Sequence, residues 1–258
     1  MRVCILGAGL GSRLRPYTND LPKCMVSFCG RSILKRQLVE FSEAGYHDIC
    51  VVTGYRAEAV EALNLTTIHN TKFSDTNMVY SLMLAKQHLE GSDLLISYAD
   101  IVFDQTVLSA LRNVADDFAV VVDRRWHALW SERMENPLDD AESMIIENDC
   151  IVSLGEKTYD VNEIQGQFIG IVKMSSGGFK IACELWERLN VDATQGLNIH
   201  NMFMTDFIQR LINEGHKVRP IYVNNGWIEI DTVKDLKVYE HLHQVGRLEE
   251  FVKIRNGI

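Results

Sequence analysis

The chain has little of what would mark a secreted, membrane-embedded or nucleic-acid-binding protein. No apolar run approaches the roughly 20 residues that a helical membrane span needs. The opening MRVCILGAG runs directly into a strand-like segment, with no charged-then-apolar leader, which gives the expectation of a cytoplasmic protein. Basic residues are outnumbered, 26 against 35 acidic, for a net charge of −9. Such a surface argues against broad binding to nucleic acid or to an anionic membrane, although a local basic cleft can still hold an anion. The six cysteines form no Cys-x-x-Cys pair, and neither they nor the eight histidines fall at metal-ligand spacing. The cysteines are expected to be reduced and structural. With 4 prolines and no low-complexity tract or internal repeat, nothing cuts the 258 residues into separate pieces. The expectation is one domain over 1–258.

What is present is a β-α-β rhythm. Val3–Leu6, Ile49–Thr53, Leu94–Tyr98 and Ala119–Asp123 are short apolar runs of strand type. Between them lie helical patterns: Ile33–Ala44, closed by Gly45, then Asn77–Leu89 and Thr106–Val114. This alternation predicts an α/β, Rossmann-like three-layer fold with a mainly parallel, mixed sheet and right-handed crossovers. From about 124 to 170 the periodicity weakens into short strands and turns, the expected place of a small inserted strand region. Helices are predicted again at Phe179–Leu189, Met202–Gly215 and Val233–His243.

The first strand empties into Gly7-Ala8-Gly9-Leu10-Gly11-Ser12-Arg13, with Pro22-Lys23 following. Small residues let backbone approach a phosphate, and successive N–H groups can cradle an anion. Arg13 and Lys23 supply charge that suits such a site. The pattern is not a Walker A loop, because Lys23 stands too far from the glycines. Nor is it a dinucleotide fingerprint: the third glycine arrives one residue early, and the region around Cys29-Gly30-Arg31 offers no ribose-binding acid. As a whole, LGAGLGSRLRPYTNDLPK resembles the entry motif of the sugar-nucleotide pyrophosphorylase and cytidylyltransferase superfamily. That resemblance implies that Leu6, Ala8, Gly9, Gly11 and Ser12 line a nucleoside triphosphate. It also implies that Arg13 holds the β- and γ-phosphates and that Lys23 sits by the α-phosphate and the incoming phosphate.

Joining two phosphates brings two anions together, and a metal ion neutralises that charge best. Asp100 closes LLISYAD and Asp231 closes WIEID. An aspartate at a strand end can equally be a helix cap or a turn former. By resemblance, these two are the Mg2+ ligands of the superfamily, whereas Asp104 and Asp235 read as caps. The resemblance further points to Gly54, Tyr55, Asn77 and Ser81 for the base; Asn77 also has the makings of a simple helix cap.

The Gln-x-x-Pro-x-Gly-Thr-Ala segment usual in sugar-1-phosphate enzymes is missing, and Asn-Met-Val-Tyr-Ser-Leu stands in its place. That run, with VVVDRRWHALWSER, NMFMTDFIQ and NGWIEIDTVKDL, is similar to cytidylyltransferases acting on phosphocholine or phosphoglutamine. The resemblance implies CTP as donor, a small phosphorylated metabolite as acceptor, and a place in cell-surface polysaccharide biosynthesis. Trp126 and Trp130, four apart, can wall an acceptor pocket or pack in the core. Arg124 can meet an acceptor carboxylate, as can Arg125 and Arg133. Glu142, Glu163, Glu229 and the face of Trp227 can meet an ammonium group. Two rivals stay open: a hexose-1-phosphate nucleotidyltransferase using UTP or dTTP, and a non-catalytic nucleotide sensor. A homodimer through the second-half strands is compatible with the sequence, although no heptad or apolar stripe marks it.

Overall fold

A computed structural model describes residues 1–192 and 199–255. The strands are β1 (Arg2–Gly7), β2 (Ser27–Phe28), β3 (Arg31–Ser32), β4 (Ile49–Thr53), β5 (Thr66–His69), β6 (Leu94–Tyr98), β7 (Ile101–Phe103), β8 (Phe118–Asp123), β9 (Glu142–Glu147), β10 (Cys150–Lys157), β11 (Gln167–Met174), β12 (Arg219–Val223) and β13 (Trp227–Glu229). The helices are α1 (Ile33–Glu43), α2 (Glu58–Glu61), α3 (Met78–Leu84), α4 (Lys86–Leu89), α5 (Gln105–Ala110), α6 (Trp126–Arg133), α7 (Ser176–Asp192), α8 (Met204–Asn213) and α9 (Val233–Gln244).

Seven strands form one sheet in the order β12-β8-β11-β6-β1-β4-β5. β1 runs parallel to both β4 and β6, β5 parallel to β4, and β12 parallel to β8. β11 alone in this sheet is antiparallel, wedged between β6 and β8. The apolar residues of the central strands alternate between two cores, because successive side chains point to opposite faces. Val3 and Ile5 join α1, α5, α6 and α9 on one face. Cys4 and Leu6 join α3, α7, α8 and the β9–β10 hairpin on the other. The architecture is therefore α/β in three layers, with a mixed sheet in the middle.

From β1 the chain crosses to β4 and β5 on one side, then jumps to β6 on the other. Such a reversal opens a crevice at the carboxyl end of the central strand, where open α/β sheets bind ligands. Between β8 and β11 the chain forms α6, which joins the first core, and the separate β9–β10 hairpin, which packs into the second.

Four helices differ from the sequence expectation: α5 stops at Ala110 rather than Val114, α7 extends beyond 179–189 at both ends, and two others depart for visible local reasons. The predicted 77–89 helix is divided, because the Ala85 N–H bonds back only three residues, to Leu82 O, and the chain restarts as α4. The predicted 202–215 helix begins two residues later, at Met204. Phe203 is extended, and its N–H donates to Asp206 Oδ2 at 3.1 Å.

Candidate active site

The crevice at the end of β1 encloses about 290 Å³. Leu6, Ala8, Gly9, Gly11 and Ser12 line it, together with Arg13, Lys23, Asp100 and Asp231. The loop owes its shape to two features. Gly11 adopts φ +60°, and a Cβ there would stand 2.9 Å from the Lys23 Cβ, so Lys23 packs directly over a position that only glycine fits. The buried Thr18 hydroxyl donates to Gly11 O at 2.8 Å and ties the loop down.

Asp100 and Asp231, 131 positions apart, meet through backbone pairing. β7 follows Asp100, β13 precedes Asp231, and the two strands pair antiparallel, Ile101 opposite Glu229. The Ile230 N–H then donates to Asp100 O at 2.9 Å. Below them Gln37, fully buried on α1, donates to Tyr98 O at 2.8 Å and to Ile101 O at 2.7 Å, bracing the turn that carries Asp100.

Lys23 Nζ lies between the two carboxylates, 2.7 Å from Asp100 Oδ2 and 2.6 Å from Asp231 Oδ1. Arg13, largely exposed, reaches Asp231 Oδ2 at 2.6 Å. Burial works against the ammonium charge, but Asp100, Asp231 and Glu229 outweigh it and raise the Lys23 pKa. The Glu229 pKa is raised too, to about 7: loss of water pushes it up, Arg133 pulls it down, and Asp100 pushes it up again. Asp100 Oδ1 is buried and has no hydrogen-bond partner among the described residues.

The remaining lining is uncharged: Phe73, Thr76, Asn77, Met78, Ser81 and Tyr98 among others. Asn77 serves as the N-cap of α3, accepting from Met78 N–H at 2.8 Å, and its amide donates to Asn201 O. Gly54 stands behind the loop rather than in the cleft wall; a Cβ on it would meet Ala8 O at 2.5 Å. The Tyr55 N–H donates to Ala8 O, and its hydroxyl to Asn19 O. Both residues thus support the glycine loop from outside.

The acceptor residues expected from sequence do not line this cleft. Trp126, Trp130 and Trp227 are 4%, 4% and 2% exposed and belong to the core. Trp130 packs against both of the others, with ring centroids 6.0 and 5.8 Å apart, and the Trp227 indole N–H donates to Asp123. The wall expected of them is a packing cluster instead, because helix α6 turns its indoles inward. Arg124 lies over the Tyr222 ring. Arg133 is buried and paired with Asp235 and Glu229 at 3.1 Å each, so it is already committed within the protein. Glu142 is an exposed residue at the start of the hairpin, and Glu163 accepts from the Thr158 hydroxyl. Of the acceptor set, Glu229 is the one coupled electrostatically to Lys23 and the two aspartates. Sequence reasoning passed over Gln37, a buried polar residue on an inward helix face that no motif marks.

Residues 3–150 match the family model for the MobA-like NTP transferase domain. The chain is 38% identical to CTP:phosphoglutamine cytidylyltransferase of Campylobacter jejuni, across 92% of this chain and 98% of that protein. It is 36% identical to choline-phosphate cytidylyltransferase of Streptococcus pneumoniae, over 36% of this chain and 42% of the other. The fold is shared with the inositol-1-phosphate CTP transferase from T. maritima, at a TM-score of 0.75 and 22% identity over 98% of this chain and 97% of that one.

Proposed function

The chain belongs to the MobA-like NTP transferase family, and from that premise we propose that it is a Mg2+-dependent cytidylyltransferase. It would transfer CMP from CTP to a small phosphorylated metabolite of phosphoglutamine or phosphocholine type and release pyrophosphate. The observation that carries this reading is Lys23, held between Asp100 and Asp231 with Arg13 alongside, at the mouth of a glycine loop. The 38% identity over nearly the whole chain supports the choice of base and acceptor class.

In the reaction, an acceptor phosphate oxygen forms a bond to the α-phosphorus of CTP. The bond from that phosphorus to the β-phosphate bridging oxygen breaks, and its electron pair leaves with pyrophosphate. A phosphomonoester is already a nucleophile near neutral pH, so no general base is required. Backbone at Gly9, Gly11 and Ser12 would receive the triphosphate. Arg13, long and exposed, would swing from Asp231 to the leaving pyrophosphate. Lys23 would stabilise charge on the transferring phosphate and the incoming oxygen.

The donor set fits Mg2+. Asp100 keeps one buried oxygen free of partners among the described residues, and Asp231 adds a second carboxylate beside it. Mg2+ characteristically takes one or two carboxylates and completes its shell with phosphate oxygens and water. Asp100 and Asp231 would hold the ion, and it would neutralise charge on the phosphates.

The deciding experiment crosses CTP, UTP, dTTP, GTP and ATP against phosphoglutamine, phosphocholine, phosphoethanolamine, glycerol phosphate and glucose-1-phosphate, reading pyrophosphate release with Mg2+. Turnover with CTP and an amino-acid-like or choline-like phosphate is expected. Turnover confined to UTP or dTTP with glucose-1-phosphate would replace the reading with the hexose branch. Silence throughout, with CTP still raising the melting temperature, would replace catalysis with nucleotide sensing.

A further inference from the structure

The turn that carries Asp100 is short and closely held. β6 lies in the central sheet, β7 pairs with β13, and Ala99 and Asp100 alone join them. Gln37, fully buried on α1, gives both protons of its amide to this turn: one to Tyr98 O at 2.8 Å and one to Ile101 O at 2.7 Å. Both partners are carbonyl oxygens, which only accept, so the nitrogen end of the amide must face them. The Ser97 hydroxyl, also fully buried, stands 3.2 Å from Gln37 Oε1 and 3.1 Å from Tyr98 O. The Ala99 N–H donates to Leu6 O at 3.2 Å, and Asp100 O accepts from the Ile230 N–H at 2.9 Å. Backbone from β1 and from the end of β13, together with Gln37, thus fixes every residue from Tyr98 to Ile101. What the turn presents is costly. Asp100 Oδ1 is buried with no hydrogen-bond partner among the described residues, and a carboxylate oxygen in that state favours any shift that gains one.

We infer that Gln37 is a positioning residue for the divalent ion: by holding the carbonyls on either side of Asp100, it keeps that carboxylate beside Asp231 with one oxygen free, and so sets the affinity for metal. The inference rests on the metal-dependent reading and deepens it. Gln37 is no part of the cleft wall and acts through backbone alone. With the brace gone, two carbonyls lose a donor and the turn is free to rotate. Asp100 can then leave its ligand pose for one that satisfies both oxygens. Mg2+ demands near-ideal octahedral geometry, so a small displacement of one carboxylate weakens it. Contacts that orient a metal ligand from behind are commonly worth 10- to 100-fold in metal affinity.

The test compares wild type with Q37M, which removes both donors at nearly constant length, and Q37N, which keeps the amide but falls one methylene short. Electron paramagnetic resonance gives Kd for Mn2+ alone. Pyrophosphate release at saturating CTP and acceptor gives the half-saturating Mg2+ concentration, and thermal melting monitors the fold. Q37M is expected to weaken Mn2+ binding and to raise half-saturating Mg2+ by about tenfold or more. Q37N should move both in the same direction. At saturating Mg2+ kcat should fall much less, and Kd for CTP without metal should stay at the wild-type value. A glutamine that merely stabilises the fold would lower the melting temperature and leave both metal readouts in place; that result in folded Q37M would overturn the inference. If Q37M does not fold, Q37N decides alone, and unchanged Mn2+ affinity there has the same force. D100N in the same titration tells two failures apart. Wild-type Mn2+ binding that survives D100N removes Asp100 as a ligand and takes the metal reading with it. Binding that depends on Asp100 and ignores Gln37 removes this inference alone.

Discussion

Lys23 is the most constrained charged side chain in the site, and its position makes a second demand on the chemistry. Its ammonium spans the same two carboxylates that would hold a divalent ion. One cation would therefore stand where the proposed ion enters, and the lysine would have to yield to it. Lys23→Met should lower kcat/KM by roughly 10²-fold or more, because a preorganised positive charge at the transferring phosphate is lost. The same variant should bind Mn2+ more tightly without nucleotide, since Asp100 and Asp231 then repel each other with no cation between them. Titration of Mn2+ followed by electron paramagnetic resonance separates the two effects. Unchanged Mn2+ affinity in K23M would mean that lysine and metal do not compete for this place. Arg13 and Lys23 could be singled out from sequence because they lie on one continuous strand–loop–lysine segment; Asp100 and Asp231, which the fold brings beside them, were pointed to by the family resemblance. Gln37 was not readable: it occupies a fully buried position on the inward side of α1, and only the fold reveals that its amide braces the backbone on either side of Asp100.

The closing turn and helix α9 show how a cap becomes part of the site. Thr232 and Asp235 form a capping box, and Asp235 Oδ2 also accepts from the Asp231 N–H at 3.1 Å. Asp235 thus fixes the backbone from which Asp231 projects. Behind it Arg133, with its side chain 1% exposed, bridges Asp235 to Glu229. Asp235→Ala removes one of the two close partners of a buried guanidinium together with the cap of α9, and should cost about 3 kcal/mol. Replacing both partners by apolar residues, Arg133→Met with Asp235→Leu, should restore much of the stability while activity stays low, because Asp231 loses its anchor. Urea denaturation beside pyrophosphate release checks this; a double variant as unstable as D235A would contradict it. The tryptophans show where the sequence left two readings open. A four-residue spacing on α6 cannot tell a pocket wall from a core seam, and three interlocked indoles at 2–4% exposure are a seam. Trp227→Ala should therefore destabilise by about 3–5 kcal/mol.

Across the whole molecule, the α/β rhythm, the glycine loop at the end of the first strand and the extra strands between about 124 and 170 were legible from short-range pattern. The antiparallel insertion of β11 and the β7–β13 pairing that brings Asp231 to Asp100 are long-range events with no local signature. The same holds for an acidic surplus of −9: its sign is plain in the composition, but its effect on stability depends on where carboxylates crowd. Two such places emerge from the fold. Glu229 is raised to about 7 chiefly by loss of water. Glu142, although an exposed residue, is also raised to about 7, first by loss of water around its carboxyl and then by Asp140, Asp206 and Glu156. Lys157, its register partner across the hairpin, lies instead over the Tyr159 ring. Both glutamates keep protons in the folded state that the unfolded chain releases near 4.5. Unfolding then gives up protons, so their contribution is fully present below about 4.5 and is lost as pH rises through 7. The melting temperature is expected to decline between pH 5 and 8 and to level off above. Glu142→Gln, which cannot ionise, should match wild type near pH 5 and exceed it near pH 8. Because the residue is exposed, solvent screening keeps this gain small. Parallel melting curves for the two proteins across that window would show that Glu142 is already ionised in the folded state at neutral pH, and would leave Glu229 as the residue behind any remaining slope.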